Sequence, residues 1–210
     1  MRTMTTTVYQ FNELSDTAKA KAREWWRSHY EFDAECVIDD ACDVAELMGL
    51  NIRCERKRRA DGSASWGPSV YWSGFCSQGD GASFKGLYKY RKGSVAAVRA
   101  YAPKDEELHR IAKALVAAQR QAFYQLGADI RQFGHYCHEM SMEIQVYKPK
   151  DEYCPVPVSA EGDIIEALRD FARWIYKQLE QEYEYQTADE QVDENIIANE
   201  YEFDEEGNRV

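Results

Sequence analysis

No stretch of this sequence approaches the roughly 18 consecutive apolar residues that a membrane-crossing helix requires, and Met1 to Thr7 lacks the apolar stretch of an export signal. A soluble, cytoplasmic chain with no membrane partner is the expectation. Six cysteines, Cys36, Cys42, Cys54, Cys76, Cys137 and Cys154, form no C-x-x-C pair. In a reducing compartment they are expected as thiols, and an isolated thiol most often serves as a small buried hydrophobe. Phosphate-binding signatures are missing as well: no Gly-Lys-Ser/Thr ending follows a glycine loop, and no G-x-G-x-x-G spacing opens a helix. No period of 20 to 50 residues recurs, which excludes a solenoid. With no complete set of nucleophile, base and orienting group, neither a catalytic residue, a metal nor a cofactor is expected.

What is present is a globular composition with a lopsided charge. The 210 residues are 44% hydrophobic and 30% charged, enough apolar content to bury a core. From 178 to 210 stand twelve acidic residues against the single base Arg209, which accounts for the whole net charge of −11. Residues 1–177 hold 25 bases and 25 acids and are formally neutral. One α+β domain over 1–186 is expected, followed by an acidic helix and tail over 187–210, packed on the domain or extending from it.

The periodicities fill in that outline. A short strand near Thr5 to Phe11 precedes Ser15, whose hydroxyl can cap a helix, and Ala18, Ala22, Trp25, Trp26 and Tyr30 then mark a buried aromatic face at helical spacing. A second helix over about 34–48 ends at Gly49, suited to a left-handed stop. Period-two patterns predict strands from Leu50, over Val70 to Cys76, over Phe84 to Tyr90 and from Tyr136 to Val146, paired antiparallel into a sheet of about four strands against the helices. A long helical pattern runs from Asp105 to about Phe133, bent or ended at Gly127. Another opens near Ser159. Thr187-Ala188-Asp189-Glu190 reads as a capping box for a last short helix.

Three phrases carry a resemblance: Tyr9 to Ser15, Ala198 to Phe203, and Tyr71-Trp72-Ser73-Gly74-Phe75-Cys76-Ser77-Gln78-Gly79-Asp80-Gly81-Ala82-Ser83-Phe84. Together they resemble a family of uncharacterised bacteriophage proteins, some labelled antitoxin-like. The resemblance implies a bacterial host cell as the setting and carries no activity. Phage accessory proteins of this size often look like inhibitors of host defence, of anti-CRISPR or anti-restriction type.

Two candidate sites follow from the residues. In the connection from Ser73 to Ser83, glycines at 74, 79 and 81 free backbone amides that can form an anion-binding concavity, with Ser73, Ser77, Gln78, Asp80, Ser83 and, across the sheet, His138 as polar groups. The plain alternative is a hairpin connection whose glycines supply positive φ. The second site is the acidic surface of Asp189, Glu190, Asp193, Glu194, Glu200 and Glu202. On a helix, carboxylates four residues apart stand about 6 Å apart and can imitate a row of phosphates, or simply keep the end of the chain soluble. His135, Cys137 and His138 are zinc-ligand types, but on a strand His138 points away from the other two. Arg56-Lys57-Arg58-Arg59 reads as a solvated turn before Asp61-Gly62, and the acidic tail opposes binding of free nucleic acid.

The reading that follows is a binding protein that inhibits a host defence complex by occupying a nucleic-acid-binding or partner surface, its acidic tail steering it to a host protein or ribonucleoprotein. A ligand binder or small enzyme centred on the glycine loop, and an antitoxin-like neutraliser of a partner protein, are the alternatives. The oligomeric state is left open, and a homodimer is compatible with each of the three readings.

Overall fold

The computed structural model describes residues 7–58, 62, 64–149 and 155–210. The chain is α+β and divides into two compact units, residues 35–179 and residues 1–34 with 180–210. That division does not coincide with the expected boundary at 186/187, because the start and end of the chain fold together.

The larger unit is organised by strand pairing. Helix α2 (Glu35–Met48) buries Ile38, Ala41, Val44, Ala45 and Met48, and stops at Gly49 as the sequence predicts. Gly49 has a φ of +87°, and a Cβ there would lie 2.2 Å from the Lys89 carbonyl oxygen, so only glycine fits. The strands are β2 (Leu50–Ile52), β3 (Cys54–Arg58), β4 (Ala64–Pro68), β5 (Val70–Trp72), β6 (Ala82–Phe84) and β7 (Gly86–Lys89). They form three bent runs that exchange partners at one point: β2 pairs β7, β3 pairs β4, and β5 pairs β6, all antiparallel. At the exchange, Arg53 N–H donates to Lys85 O, Lys85 N–H to Ser69 O, and Ser69 N–H to Arg53 O, at 2.9, 2.9 and 2.7 Å. This closed ring keeps backbone groups paired where the strands part.

Helices α3 (Ser94–Tyr101) and α4 (Glu106–Gln121) follow, then β8 (Gly127–Gln132), β9 (Met142–Tyr147) and α5 (Val158–Gln186). The four-stranded antiparallel sheet runs β2-β7-β8-β9. The helical pattern expected to reach Phe133 therefore ends at Gln121. Phe123 and Tyr124 take left-handed φ of 54° and 61°, and the buried Gln119 side chain grips Leu126 twice, donating to its carbonyl (2.7 Å) and accepting from its N–H (3.1 Å). Beyond that clamp Ala128 and Ile130 are buried and pair with β7 and β9. The expected strand from Tyr136 is confined to β9, because residues 139–141 form a 3-10 turn with Met140 exposed. The turn at Asp61-Gly62 falls partly outside the described residues. Phe84, Phe171, Leu168 and Ile175 are among the buried core, with the rings of Phe84 and Phe171 edge to face at 5.7 Å.

The terminal unit has its own core. Strand β1 (Tyr9–Gln10) pairs antiparallel with β10 (Glu202–Phe203), and α1 (Asp16–His29) starts at Ser15, whose hydroxyl accepts from Ala18 N–H at 3.3 Å. Phe11, Leu14, Ala18, Ala22, Val192, Ile196 and Phe203 are buried together, so α6 (Asp189–Ala198) lies on α1 by its apolar side. The expected capping box at Thr187 does not form, because that hydroxyl donates instead to the Tyr183 carbonyl at 2.7 Å, and α6 starts after Ala188 with no side-chain cap. Among the described residues no helix is long and apolar enough to cross a membrane.

Candidate functional site

The acidic surface is split by its own fold. Because α6 buries Val192 and Ile196 against α1, the carboxylates flanking that stripe come within reach of the bases of α1. Arg23 donates from Nε and Nη2 to the two oxygens of Asp193, both at 2.6 Å. Arg27 donates to Asp189 at 2.6 Å and to the Thr187 carbonyl at 2.9 Å. The bond to Asp193 raises the Arg23 pKa further, and the bond from Arg27, with the charges of Arg23 and Arg27, holds Asp189 below the usual carboxylate range. Two of the six expected binding carboxylates thus make ion pairs within the unit. Glu190, Glu194, Glu200 and Glu202 are exposed and make no ion pair among the described residues. Glu190 and Glu194 stand one turn apart on α6, about 6 Å along its axis.

The loop from Ser73 to Gly81 joins β5 to β6 as a hairpin connection, with Tyr71 opposite Ser83 and Trp72 opposite Ala82. Its polar groups largely serve the turn. Asp80 accepts from Ser77 N–H at 2.6 Å and from Cys76 N–H at 3.0 Å, which lowers its pKa, while Ser73 Oγ accepts from Gly81 N–H at 3.3 Å. Ser77 and Gln78 are exposed at the tip, and Gly79 takes a φ of +97°. Ser83 is fully buried and its hydroxyl has no partner among the described residues. His138 does come against this loop: a Cβ on Gly81 would lie 3.0 Å from His138 Cδ2. Its ring is occupied locally, with Nδ1 accepting from Met140 N–H at 3.2 Å and 3.1 Å from Glu139 Oε2.

Two clusters escape a reading of the sequence. Next to the strand exchange, Tyr71 donates to Glu55 at 2.6 Å, and Lys85 Nζ donates to the same carboxylate at 3.1 Å while lying 5.2 Å from the Tyr71 ring centroid. The Tyr71 hydroxyl lowers the Glu55 pKa, and burial followed by its bond to Glu55 raises that of Tyr71. Burial opposes the charge of Lys85, but the bonds to Tyr71 and Glu55 outweigh it and keep the ammonium protonated. The trio is a closed set that ties β3 and β5 to the junction between β6 and β7. The second cluster is in the terminal unit, where half-buried Trp25, Trp26, Tyr30 and Tyr201 rim a groove instead of filling the core. Trp26 and Tyr30 stack at 4.5 Å, and Tyr201 stands edge-on to Trp25 at 5.2 Å.

One family model, described as a domain of unknown function (DUF8835), matches residues 34–189. No curated protein and no solved structure matches the chain.

Proposed function

The chain belongs to the DUF8835 family of domains of unknown function, and we propose that it works by stoichiometric binding, presenting the exposed carboxylates of its terminal unit to a cationic surface of a protein or ribonucleoprotein. The observation that carries this reading is the segregation of charge. Residues 1–34 and 180–210 hold 17 acidic and 6 basic residues, a net −11, while residues 35–179 hold 20 of each. A patch of one sign speeds encounter with the opposite sign and repels free nucleic acid. In the setting that the phage resemblance implies, the partner is a host defence complex and occupancy of its nucleic-acid-binding surface inhibits it.

The test is a comparison of the intact chain with a variant carrying Glu190→Gln, Glu194→Gln, Glu200→Gln and Glu202→Gln together. All four side chains are exposed, so the variant is expected to fold and melt as the parent does. Used as bait in host lysate, the parent should retain a basic partner that elutes when salt rises from 50 to 300 mM, and the variant should retain at least about tenfold less. Equal retention by both chains, or a partner indifferent to salt, overturns the reading.

A further inference from the structure

Arg209 shows what the aromatic groove of the terminal unit accepts. Its guanidinium lies over the rings of Tyr201 and Trp25, 4.9 and 5.7 Å from their centroids, the geometry of a cation held by ring faces. This placement is built into the backbone. Asp204 accepts from Glu206 N–H and Asn208 N–H at 3.0 and 2.9 Å and so closes a tight turn. Gly207, with a φ of +84°, lets that turn approach α1 so closely that a Cβ would lie 2.2 Å from the Ala18 carbonyl oxygen. The whole groove, Arg209 included in its lining, measures about 470 Å³ and extends along Trp26, His29, Tyr30 and Glu31, within the size of a small-ligand site.

The chemistry of that space is specific. Flat aromatic faces in an anionic unit suit a planar, weakly hydrated cation, and guanidinium stacks on rings where an ammonium remains a strongly hydrated point charge. We infer that this groove is a recognition slot for an arginine side chain presented by a basic segment of the partner protein, and that Arg209 occupies part of it in the unbound chain. The inference rests on the reading of the terminal unit as a binding surface and adds the chemical identity of what is bound. The chain's own arginine then acts as a competitor that the partner's displaces, which makes a distinctive prediction: removing it strengthens binding.

The experiment titrates the full chain with a peptide of alternating glycine and arginine, and with the same peptide carrying lysine, while following the indole N–H signals of the five tryptophans by nuclear magnetic resonance. The arginine peptide should move the Trp25 and Trp26 signals and leave Trp66, Trp72 and Trp174 in place, and should bind at least about threefold more tightly than the lysine peptide. Arg209→Ala should tighten it about threefold by freeing the slot, and Tyr201→Leu, which keeps apolar bulk without a ring, should weaken it about tenfold. Unmoved Trp25 and Trp26 signals, or equal binding of both peptides with no gain in Arg209→Ala, overturns the slot. The four Glu→Gln substitutions separate the two proposals. If they abolish partner retention while Tyr201→Leu binds peptide as the parent does, the acidic surface stands and the slot falls. If the groove variants change peptide binding as stated while the glutamines leave partner retention intact, the slot stands and the acidic surface falls.

Discussion

The two compact units use charge in opposite ways. In residues 35–179 bases and acids balance, and the pairs observed there tie neighbouring elements: Lys85 with Glu55, Arg53 with Asp129 at 2.8 Å, Arg110 with Asp170 at 2.6 Å. In the terminal unit, Arg23 and Arg27 satisfy Asp189 and Asp193, while Glu190, Glu194, Glu200 and Glu202 face solvent. A paired carboxylate and a displayed one thus sit one residue apart on the same helix. Asp189 and Glu190 differ only in which side of α6 carries them, and the apolar stripe of Val192 and Ile196 decides which side meets α1. The family match divides the chain along similar lines, since it covers all of the balanced unit and only residues up to 189 of the acidic one.

Emptying the core of one unit and following both tests whether they are independent. Phe203 is fully buried in the terminal unit and Phe171 in the larger one. Truncating either to alanine removes a ring and leaves a cavity, at a cost of about 3–5 kcal/mol. By native-state hydrogen exchange, Phe203→Ala is expected to release the amides of α1, α6 and β1–β10 while β7, β8 and β9 remain slow, and Phe171→Ala to do the reverse. Equal release of both sets by either variant would mean that the units unfold as one.

A second, smaller effect separates them at alkaline pH. Burial pushes the phenol of Tyr88, a β7 residue that is 1% exposed, up to about 12 despite a bond with Gln119 that pulls it down. The folded value lies above the unfolded one near 10, so the stabilisation is fully present below pH 10 and is lost as pH rises from 10 through 12. Tyr88 should account for a loss of about 2–3 kcal/mol in the larger unit across that window, and Tyr88→Phe should remove this part of the slope. In the terminal unit half-buried Tyr30 shifts in the same direction, again by burial first, with a smaller consequence expected. Stability followed against pH at 295 nm absorbance and by chemical denaturation checks both.

Much of the fold is legible in the sequence because helical spacing and turn chemistry are local. Ser15 and Gly49 announce a helix start and a helix stop through rules that span four residues. What failed were segments decided by distant partners. Leu126, Ile130 and Phe133 continue the helical spacing of α4, and only pairing with β7 and β9 makes Gly127–Gln132 a strand. The acidic row illustrates the same limit: the spacing of Asp189 and Asp193 puts them on one side of a helix, but nothing local reveals Arg23, 170 residues away. Two signals were present and readable. Adjacent Trp25 and Trp26 lie about 100° apart on a helix, so a narrow buried stripe cannot take both. The echo of Tyr9-Gln10-Phe11 in Tyr201-Glu202-Phe203 joins two segments that pair as strands, Tyr9 opposite Phe203 and Gln10 opposite Glu202.

The smallest expected effect tests the glycine loop of the larger unit against the displayed charge of the terminal one. Ser83 is fully buried in β6, opposite Tyr71, with a hydroxyl that finds no partner among the described residues. A buried hydroxyl that gains no hydrogen bond on folding carries its desolvation cost uncompensated, so Ser83→Ala is expected to leave stability unchanged or raise it by up to about 1 kcal/mol. The same substitution should leave partner retention by the terminal unit untouched, since Ser83 belongs to the larger unit and the loop's Asp80 and Ser73 hydrogen-bond within their own turn. Denaturant unfolding and the lysate assay read the two outcomes separately. A loss of stability above about 1 kcal/mol would place an ordered water or a ligand atom on that hydroxyl, and a loss of partner retention would move the binding surface from the acidic helix to the loop.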